Sequence, residues 1–260
     1  MKQVAWITGA SSGIGEEIAR QLANKGFRLI LSSRSESKLT ELKNGLPGSE
    51  DHLIVPLDLE HSENFPELVK QVIAEVKHIH YLYNCGGLSQ RAEASETSLE
   101  VDRRIMEINY FGTVALTKAV LPIMQAQKSG HIIAISSIAG KFGFYLRSAY
   151  SASKHAIQGF FESLLLEEAK NNISVTIAFP GKINTPISLS ALGKDGNAHG
   201  EMDHNQETGM PVEQCVSILL KAVEKKKKEI LIGNKEINAV TLKRFFPGLF
   251  WKIIAKQSAT

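Results

Sequence analysis

Tyr150 and Lys154 stand four residues apart in "YSASK", a spacing that places both side chains on one face of a helix. These two residue types suit proton transfer. A free phenol titrates near ~10 and is a poor base at neutral pH, but an ammonium one helical turn away favours its ionised form. That is the tuning general acid–base work requires. Taken alone, the pair also fits an ordinary helix start capped by Ser148 or Ser151. Its surroundings have to decide between the two.

A second constellation carries phosphate chemistry. "ITGASSGIG" follows the first apolar run and opens the first helical pattern. Gly9, Gly13 and Gly15 would permit a tight turn and then close backbone approach to a pyrophosphate at a helix N-terminus. Ser11, Ser12 and Ile14 belong to the same candidate cofactor-binding turn. The spacing is one residue wider before the second glycine than the common dinucleotide fingerprint. The second run ends in "SSR", with Ser33 where an acid would grip the ribose of NAD, and Arg34 next to it. A guanidinium there could pair with a 2′-phosphate, so NADP(H) is the expected cofactor, with NAD(H) as the alternative and a solvated arginine as the bland reading. Asp58 in "PLDLE", with Leu59 beside it, could accept from the adenine amino group or cap the next turn.

The elements that must position these groups are legible as alternation. "QVAWIT", "RLILSS", "HLIVPL", "IHYLYN", "GHIIAIS", "ISVTIAF" and "KEILIG" are near-continuously apolar, as strands covered on both faces are. Amphipathic stretches lie between them: Ile14, Ile18 and Leu22 form one stripe, and Leu68, Val72 and Val76 another. The pattern predicts right-handed βαβ units in a doubly wound, Rossmann-type α/β fold with a seven-stranded parallel sheet. No linker or repeat divides residues 1–260, so one domain is expected, with 184–210 as a substrate loop or lid and 236–256 as a C-terminal extension.

The 260 residues are 43% hydrophobic and 22% charged, an ordinary globular balance. Residues 221–260 carry +7 and the rest −4, so the basic excess is local and gives no nucleic-acid face. Cys85 and Cys215 form neither a metal nor a disulfide pattern. The start has no signal-peptide pattern and no run reaches about 18 apolar residues, so a cytoplasmic protein is expected.

Taken together, these motifs resemble the short-chain dehydrogenase/reductase family over essentially the whole chain. The family's TGxxxGxG reads here as Thr8, Gly9, Gly13 and Gly15, its serine as Ser137, its Tyr-x-x-x-Lys as Tyr150 and Lys154, and its helix asparagine as Asn109. Its "PG" after the sixth strand is Pro180 and Gly181. The tail "NAVTLKRFFPGLFWKIIAKQ" is similar to that of the family's member 7 type. One departure stands out: where the family has Asn-x-Ala-Gly after the fourth strand, this chain has "NCGG", Asn84 to Gly87. Cys85 and Gly86 are both small, so the backbone could still pass close to a cofactor, and Cys85 is expected to be a buried residue and not a nucleophile.

The resemblance implies hydride transfer to or from a carbonyl or secondary alcohol. Tyr150 would be the general acid or base, Ser137 would orient the substrate oxygen, Lys154 would hold the nicotinamide ribose, and Asn109 would anchor a water. Ile183 and Thr185 would meet the nicotinamide carboxamide. It also implies a homodimer or homotetramer built on helices near 99–127 and 149–170; Phe160, Phe161 and Leu164 are candidate interface residues, some of which core packing could claim. A dinucleotide-binding protein without turnover is the competing reading. Tyr145, Leu146, Leu189, Leu192 and Met202 are pocket candidates, with core or surface packing as an equal alternative for each, and their apolar balance leans towards a lipophilic substrate. The aromatic and basic tail is expected to pack on the protein, with membrane contact as the alternative.

Overall fold

The computed structural model describes residues 2–201 and 207–256. Met202, one of the pocket candidates, lies outside the described residues. Seven strands form one parallel sheet: β1 (Val4–Thr8), β2 (Arg28–Ser32), β3 (Leu53–Ile54), β4 (Tyr81–Asn84), β5 (Gly130–Ile135), β6 (Ile173–Pro180) and β7 (Glu229–Ile232). Their spatial order is β3-β2-β1-β4-β5-β6-β7. The chain starts at the centre, winds outward to β3, then crosses to β4 and winds the other way. Connections therefore diverge between β1 and β4, and a crevice opens outside the carboxyl ends of those two strands. Both chemical constellations of the sequence sit at that end.

Alternate residues of each strand enter two separate cores. Val4 and Trp6 of β1 join Ile30, Leu82 and Ile132 in a layer covered by α3 (Phe65–Val76), α4 (Leu99–Met106), α5 (Thr113–Gln127) and α6 (Ser148–Glu168). Ala5 and Ile7 join Leu29, Leu31 and Ile133 under α1 (Gly13–Asn24), α2 (Glu36–Asn44) and α7 (Val212–Glu224). Burial on both faces explains why the strands read as unbroken apolar runs.

Two elements differ from the expectation. The third strand is ladder-paired only at Leu53 and Ile54; beyond it Val55 and Leu57 still donate to Leu31 and Ser33 at 2.9 and 3.2 Å, and Pro56 between them falls on the outer edge of the sheet, where no N–H is needed. The helix expected over 99–127 is interrupted by a π-helical turn, Glu107–Gly112, between α4 and α5. The extra residue in such a turn shifts which side chain faces inward, and here it buries Asn109.

The expected interface residues are corrected as well. Phe161 and Leu164 are buried in the core layer, whereas Phe160 is half-buried at its rim with its ring edge-on to Tyr110 at 6.2 Å. The large apolar side chains left exposed along the stretches 99–127 and 149–170 are Leu99, Phe111 and Leu166, at 57%, 51% and 74%. The tail breaks at Pro247 as expected, into α8 (Asn238–Phe245) and α9 (Pro247–Ile254). Phe250 is buried edge-to-face against Phe142 at 5.0 Å, while Phe245, Phe246, Leu249, Trp251 and Ile253 remain exposed.

Candidate active site

The turn after β1 is closed to side chains. Gly9 and Gly13 take φ of +65° and +55°, where a residue with a Cβ is strained. A Cβ on Gly15 would lie 2.3 Å from the Gly9 carbonyl oxygen, and one on Gly9 would meet the Gly86 Cα at 2.9 Å. The backbone is thus bare where α1 begins, with Ser12 as its N-cap residue and no side chain capping it. Thr8 fixes the turn to β4: its hydroxyl accepts from the N–H groups of Cys85 and Gly86 at 3.0 and 3.1 Å.

This geometry also explains the "NCGG" departure. A methyl on Gly86 would come within 2.5 Å of Leu59 Cδ1, so a leucine side chain fills the space where the family's alanine would stand. Cys85, expected to be buried, is only half-buried and lines the site's cavity, and burial pushes its thiol up, away from the thiolate form.

Tyr150 and Lys154 lie on the first turns of α6, facing the carboxyl end of β5. The Ser137 hydroxyl, immediately after β5, accepts from the Ala139 N–H at 3.1 Å, reaches the Pro180 carbonyl at 3.4 Å and hydrogen-bonds the Tyr150 phenol. Lys154 is buried, its Nζ donating to the Ile135 carbonyl at 3.0 Å and lying 5.7 Å from the Tyr150 ring centre. Burial lowers its pKa to about 8. Burial also pushes the Tyr150 phenol up, against the Ser137 hydrogen bond and the Arg147 charge, which both pull it down. The expected lowering by Lys154 is not among the pulls on the phenol, and loss of water outweighs those of Ser137 and Arg147.

Asn109 accepts from the Leu88 N–H at 2.7 Å and donates to the Leu88 carbonyl and the Ser153 hydroxyl, both at 2.9 Å. A Cβ on Gly87 would lie 3.0 Å from Asn109 Oδ1 and 3.6 Å from Lys154 Nζ, so the π-turn and α6 converge on that glycine.

A cavity of about 1680 Å³ joins these parts. Gly9, Ser12, Gly13, Ile14, Gly15 and Gly86 line one end, Ser137, Tyr150 and Lys154 the middle, and Pro180, Gly181, Ile183 and Thr185 the wall after β6. Phe142, Leu242, Phe246, Phe250, Trp251 and Ile254 make the far wall apolar. The volume exceeds the roughly 300–1,000 Å³ typical of a single small-ligand pocket, and so has room for a dinucleotide and a second molecule. The bare glycine turn fits the dinucleotide's phosphates.

Other expected residues are not brought to that lining. Ser11 is in the turn but does not face the cavity, and Leu59 packs behind Gly86. Asn84 is buried, its Nδ2 donating to Thr117 at 3.1 Å while its Oδ1 has no partner among the described residues. Ser33 and the exposed Arg34 follow β2, beside the glycine turn, which the Ala10 N–H ties to the Ser32 carbonyl at 3.1 Å. Asp58 caps the next turn, accepting from the Glu60 N–H at 3.0 Å. Of the pocket candidates Tyr145 lines the cavity; Leu146, Leu189 and Leu192 do not, and Leu192 is buried in the core instead.

The family model described as short chain dehydrogenase matches residues 3–194. The chain belongs to the short-chain dehydrogenase/reductase family. It is 41% identical over 261 residues to the mouse protein named "Dehydrogenase/reductase SDR family member 7B", covering 98% of this chain and 81% of that protein. Among solved structures, serine dehydrogenase in its closed form complexed with NADP+ superposes with a TM-score of 0.80 and 26% identity, over 89% of this chain and 95% of that one. A short chain dehydrogenase/reductase from Burkholderia phymatum in complex with NAD shares the fold, with a TM-score of 0.83, 21% identity and 95% of each chain covered. This member of an oxidoreductase family thus has its NAD(P)-binding type of Rossmann fold.

Several side chains that hold this short-chain dehydrogenase/reductase site carry no signal in the sequence. Glu236, at the start of the tail, accepts from the Lys182 and Asn234 N–H groups at 2.9 and 3.1 Å and so ties the extension to the loop after β6. Gln90 and Arg147 bind each other's segments beside the tyrosine helix. Their types are common on any surface, and nothing local marks a partner more than fifty residues away. Among the described residues no group of His, Cys, Asp or Glu could hold a metal ion, and no helix is long and apolar enough to cross a membrane.

Proposed function

We propose that this chain is an NADP(H)-dependent oxidoreductase acting on a carbonyl or secondary alcohol, with Tyr150 as the general acid or base. One observation carries the reading: the Tyr150 phenol, the Ser137 hydroxyl and the Lys154 ammonium meet at the middle of the cavity that the glycine turn opens. A bound nicotinamide supplies or takes up the hydride. In the reductive direction Tyr150 passes its phenolic proton to the substrate oxygen as the carbonyl carbon gains the hydride, leaving an alcohol and a phenolate. Ser137 steadies the phenolate by hydrogen bonding and Lys154 by charge. The upward push on the Tyr150 phenol keeps its proton in place until that moment. Lys154, anchored by Ile135, would hold a ribose hydroxyl, and Asn109 would keep the segment at Gly87 and Leu88 in register with α6 and anchor a water.

Gly9, Ser12, Gly13, Ile14 and Gly15 would cradle the pyrophosphate, Ser11, Gly86, Asn84 and Leu59 would back it, and Pro180, Gly181, Ile183 and Thr185 would meet the nicotinamide. The NADP(H) preference is supported by Arg34, exposed and bonded to no carboxylate among the described residues, next to Ser33, whose hydroxyl leaves room for a 2′-phosphate. Asp58 would contact the adenine while capping its own turn.

The apolar far wall supports a lipophilic substrate. The tail acts here as that wall and not as a membrane anchor, because Phe250 fills the gap against Phe142; sedimentation with anionic vesicles should leave the protein in the supernatant. The test of function is cofactor oxidation with a panel of ketones and aldehydes at saturating NADPH. Turnover with an apolar carbonyl compound is expected. Tight NADPH binding with no turnover across the panel would instead support a silent dinucleotide-binding protein.

A further inference from the structure

A helix beginning at Ser148 needs acceptors for its first N–H groups, and its N-cap residue is Arg147, whose guanidinium can only donate. The missing acceptor comes from another part of the chain. Gln90 is fully buried, and its Oε1 accepts from the Ala149 N–H at 2.7 Å and from the Tyr150 N–H at 3.4 Å. Its Nε2 donates to Ser148 and Thr97 hydroxyls at 3.2 and 2.9 Å. The catalytic tyrosine is thus the third residue of a helix capped from outside.

The same segment grips the approach to that helix. Leu146 holds φ of +58°, a strained value for a leucine, and its carbonyl accepts from the Ala92 N–H at 3.3 Å. The Arg147 guanidinium donates to the Gln90 carbonyl and, at 3.0 Å, to the Ser89 hydroxyl. On its other edge the segment pairs with the chain after β6: Leu192 donates to the Ser89 carbonyl at 2.9 Å and Arg91 to the Leu192 carbonyl at 2.8 Å. That chain includes Pro186, Ile187 and Ser190, which line the cavity.

We infer that Gln90 is a positioning residue for Tyr150, and that residues 89–92 couple the cavity-lining stretch 186–192 to the start of the catalytic helix. Contacts a substrate makes with Ile187 or Ser190 are then felt at Tyr150 through one strip of backbone pairing. The inference rests on the proposed role of Tyr150 for its consequence in turnover, but its structural half can be read without any substrate.

The test compares Gln90→Leu, which removes the acceptor, Gln90→Glu, which keeps it, and Leu192→Pro, which deletes the N–H given to Ser89. NADPH binding confirms that each is folded. Amide hydrogen exchange over 148–152 should rise roughly fivefold or more in Gln90→Leu and in Leu192→Pro, and stay near wild type in Gln90→Glu. With a carbonyl substrate from the panel, Gln90→Leu should lower kcat about ten- to hundredfold with the KM for NADPH unchanged, and Gln90→Glu should restore most of it. Wild-type exchange and kcat in Gln90→Leu, or a Gln90→Glu variant as impaired as Gln90→Leu, would overturn the positioning role. Unchanged exchange over 148–152 in folded Leu192→Pro would overturn the coupling. Should Tyr150→Phe turn over like wild type, the functional reading fails, and the exchange data alone decide the inference.

Discussion

At the scale of single residues, Lys154 shows what the site costs the fold. Its pKa falls to about 8 because burial disfavours the ammonium. The folded chain therefore holds this proton less tightly than the unfolded one. The resulting loss of stability is full below about pH 8 and fades as pH rises towards the ordinary lysine value. At neutral pH it is on the order of 3 kcal/mol before the Ile135 hydrogen bond is set against it. Lys154→Met should accordingly raise Tm at pH 7, by roughly 2–4 °C per kcal/mol recovered, while losing turnover. The gain should shrink in scans above pH 9, and a lower Tm at pH 7 would contradict it. Arg34→Ala tests the cofactor preference: a charge-assisted hydrogen bond contributes about 1.5–3 kcal/mol, so NADP(H) should bind roughly ten- to hundredfold more weakly and NAD(H) about as before. Equal affinities of the unmodified protein for both cofactors would refute the preference. Tyr150 and Lys154 could be picked out in the sequence because one helix fixes their spacing, whereas Ser137 and Asn109 were picked out only through the family resemblance. Gln90 was not, because its partners are Ala149 and Tyr150 N–H groups that every residue type provides.

At the scale of elements, all seven strands could be read because double burial removes polar residues from them. The short β3 and the π-turn around Asn109 could not, since neither an early end to ladder pairing nor one extra residue in a helix changes the apolar pattern. The tail divided where Pro247 and Gly248 said it would, but periodicity alone could not say which ring turns inward. Packing selected Phe250, which meets Phe142 and is itself in edge contact with Trp251 at 5.0 Å. Phe250→Ser should cost about 3–5 kcal/mol of the tail's docking and expose α8 and α9 to limited proteolysis. Trp251→Ser, at a position 55% exposed, should change stability by no more than about 0.5 kcal/mol. Equal protease resistance of the two variants would show that the tail is not held by Phe250.

At the scale of the whole molecule, the site belongs to the crossing point of the sheet: β1 and β4 supply the glycine turn and its backing, β5 and β6 the serine and the cavity wall, and the tail closes the far side. The family's fold was legible from the order of motifs, whereas the faces of α5 and α6 were not. Phe161 and Leu164 went to the core, leaving Leu99, Phe111 and Leu166 as the apolar exposure consistent with a homodimer or homotetramer. Light scattering at micromolar concentration should give a mass above that of one 28.5 kDa chain, and a monomer throughout would reject it. The central claim, that Tyr150 moves the proton, is tested most directly by kcat/KM for NADPH-dependent carbonyl reduction in wild type and Tyr150→Phe, with cofactor affinity measured on both. Loss of roughly 10²- to 10⁴-fold at unchanged NADPH affinity is the predicted result; a Tyr150→Phe enzyme with wild-type kcat/KM would contradict it.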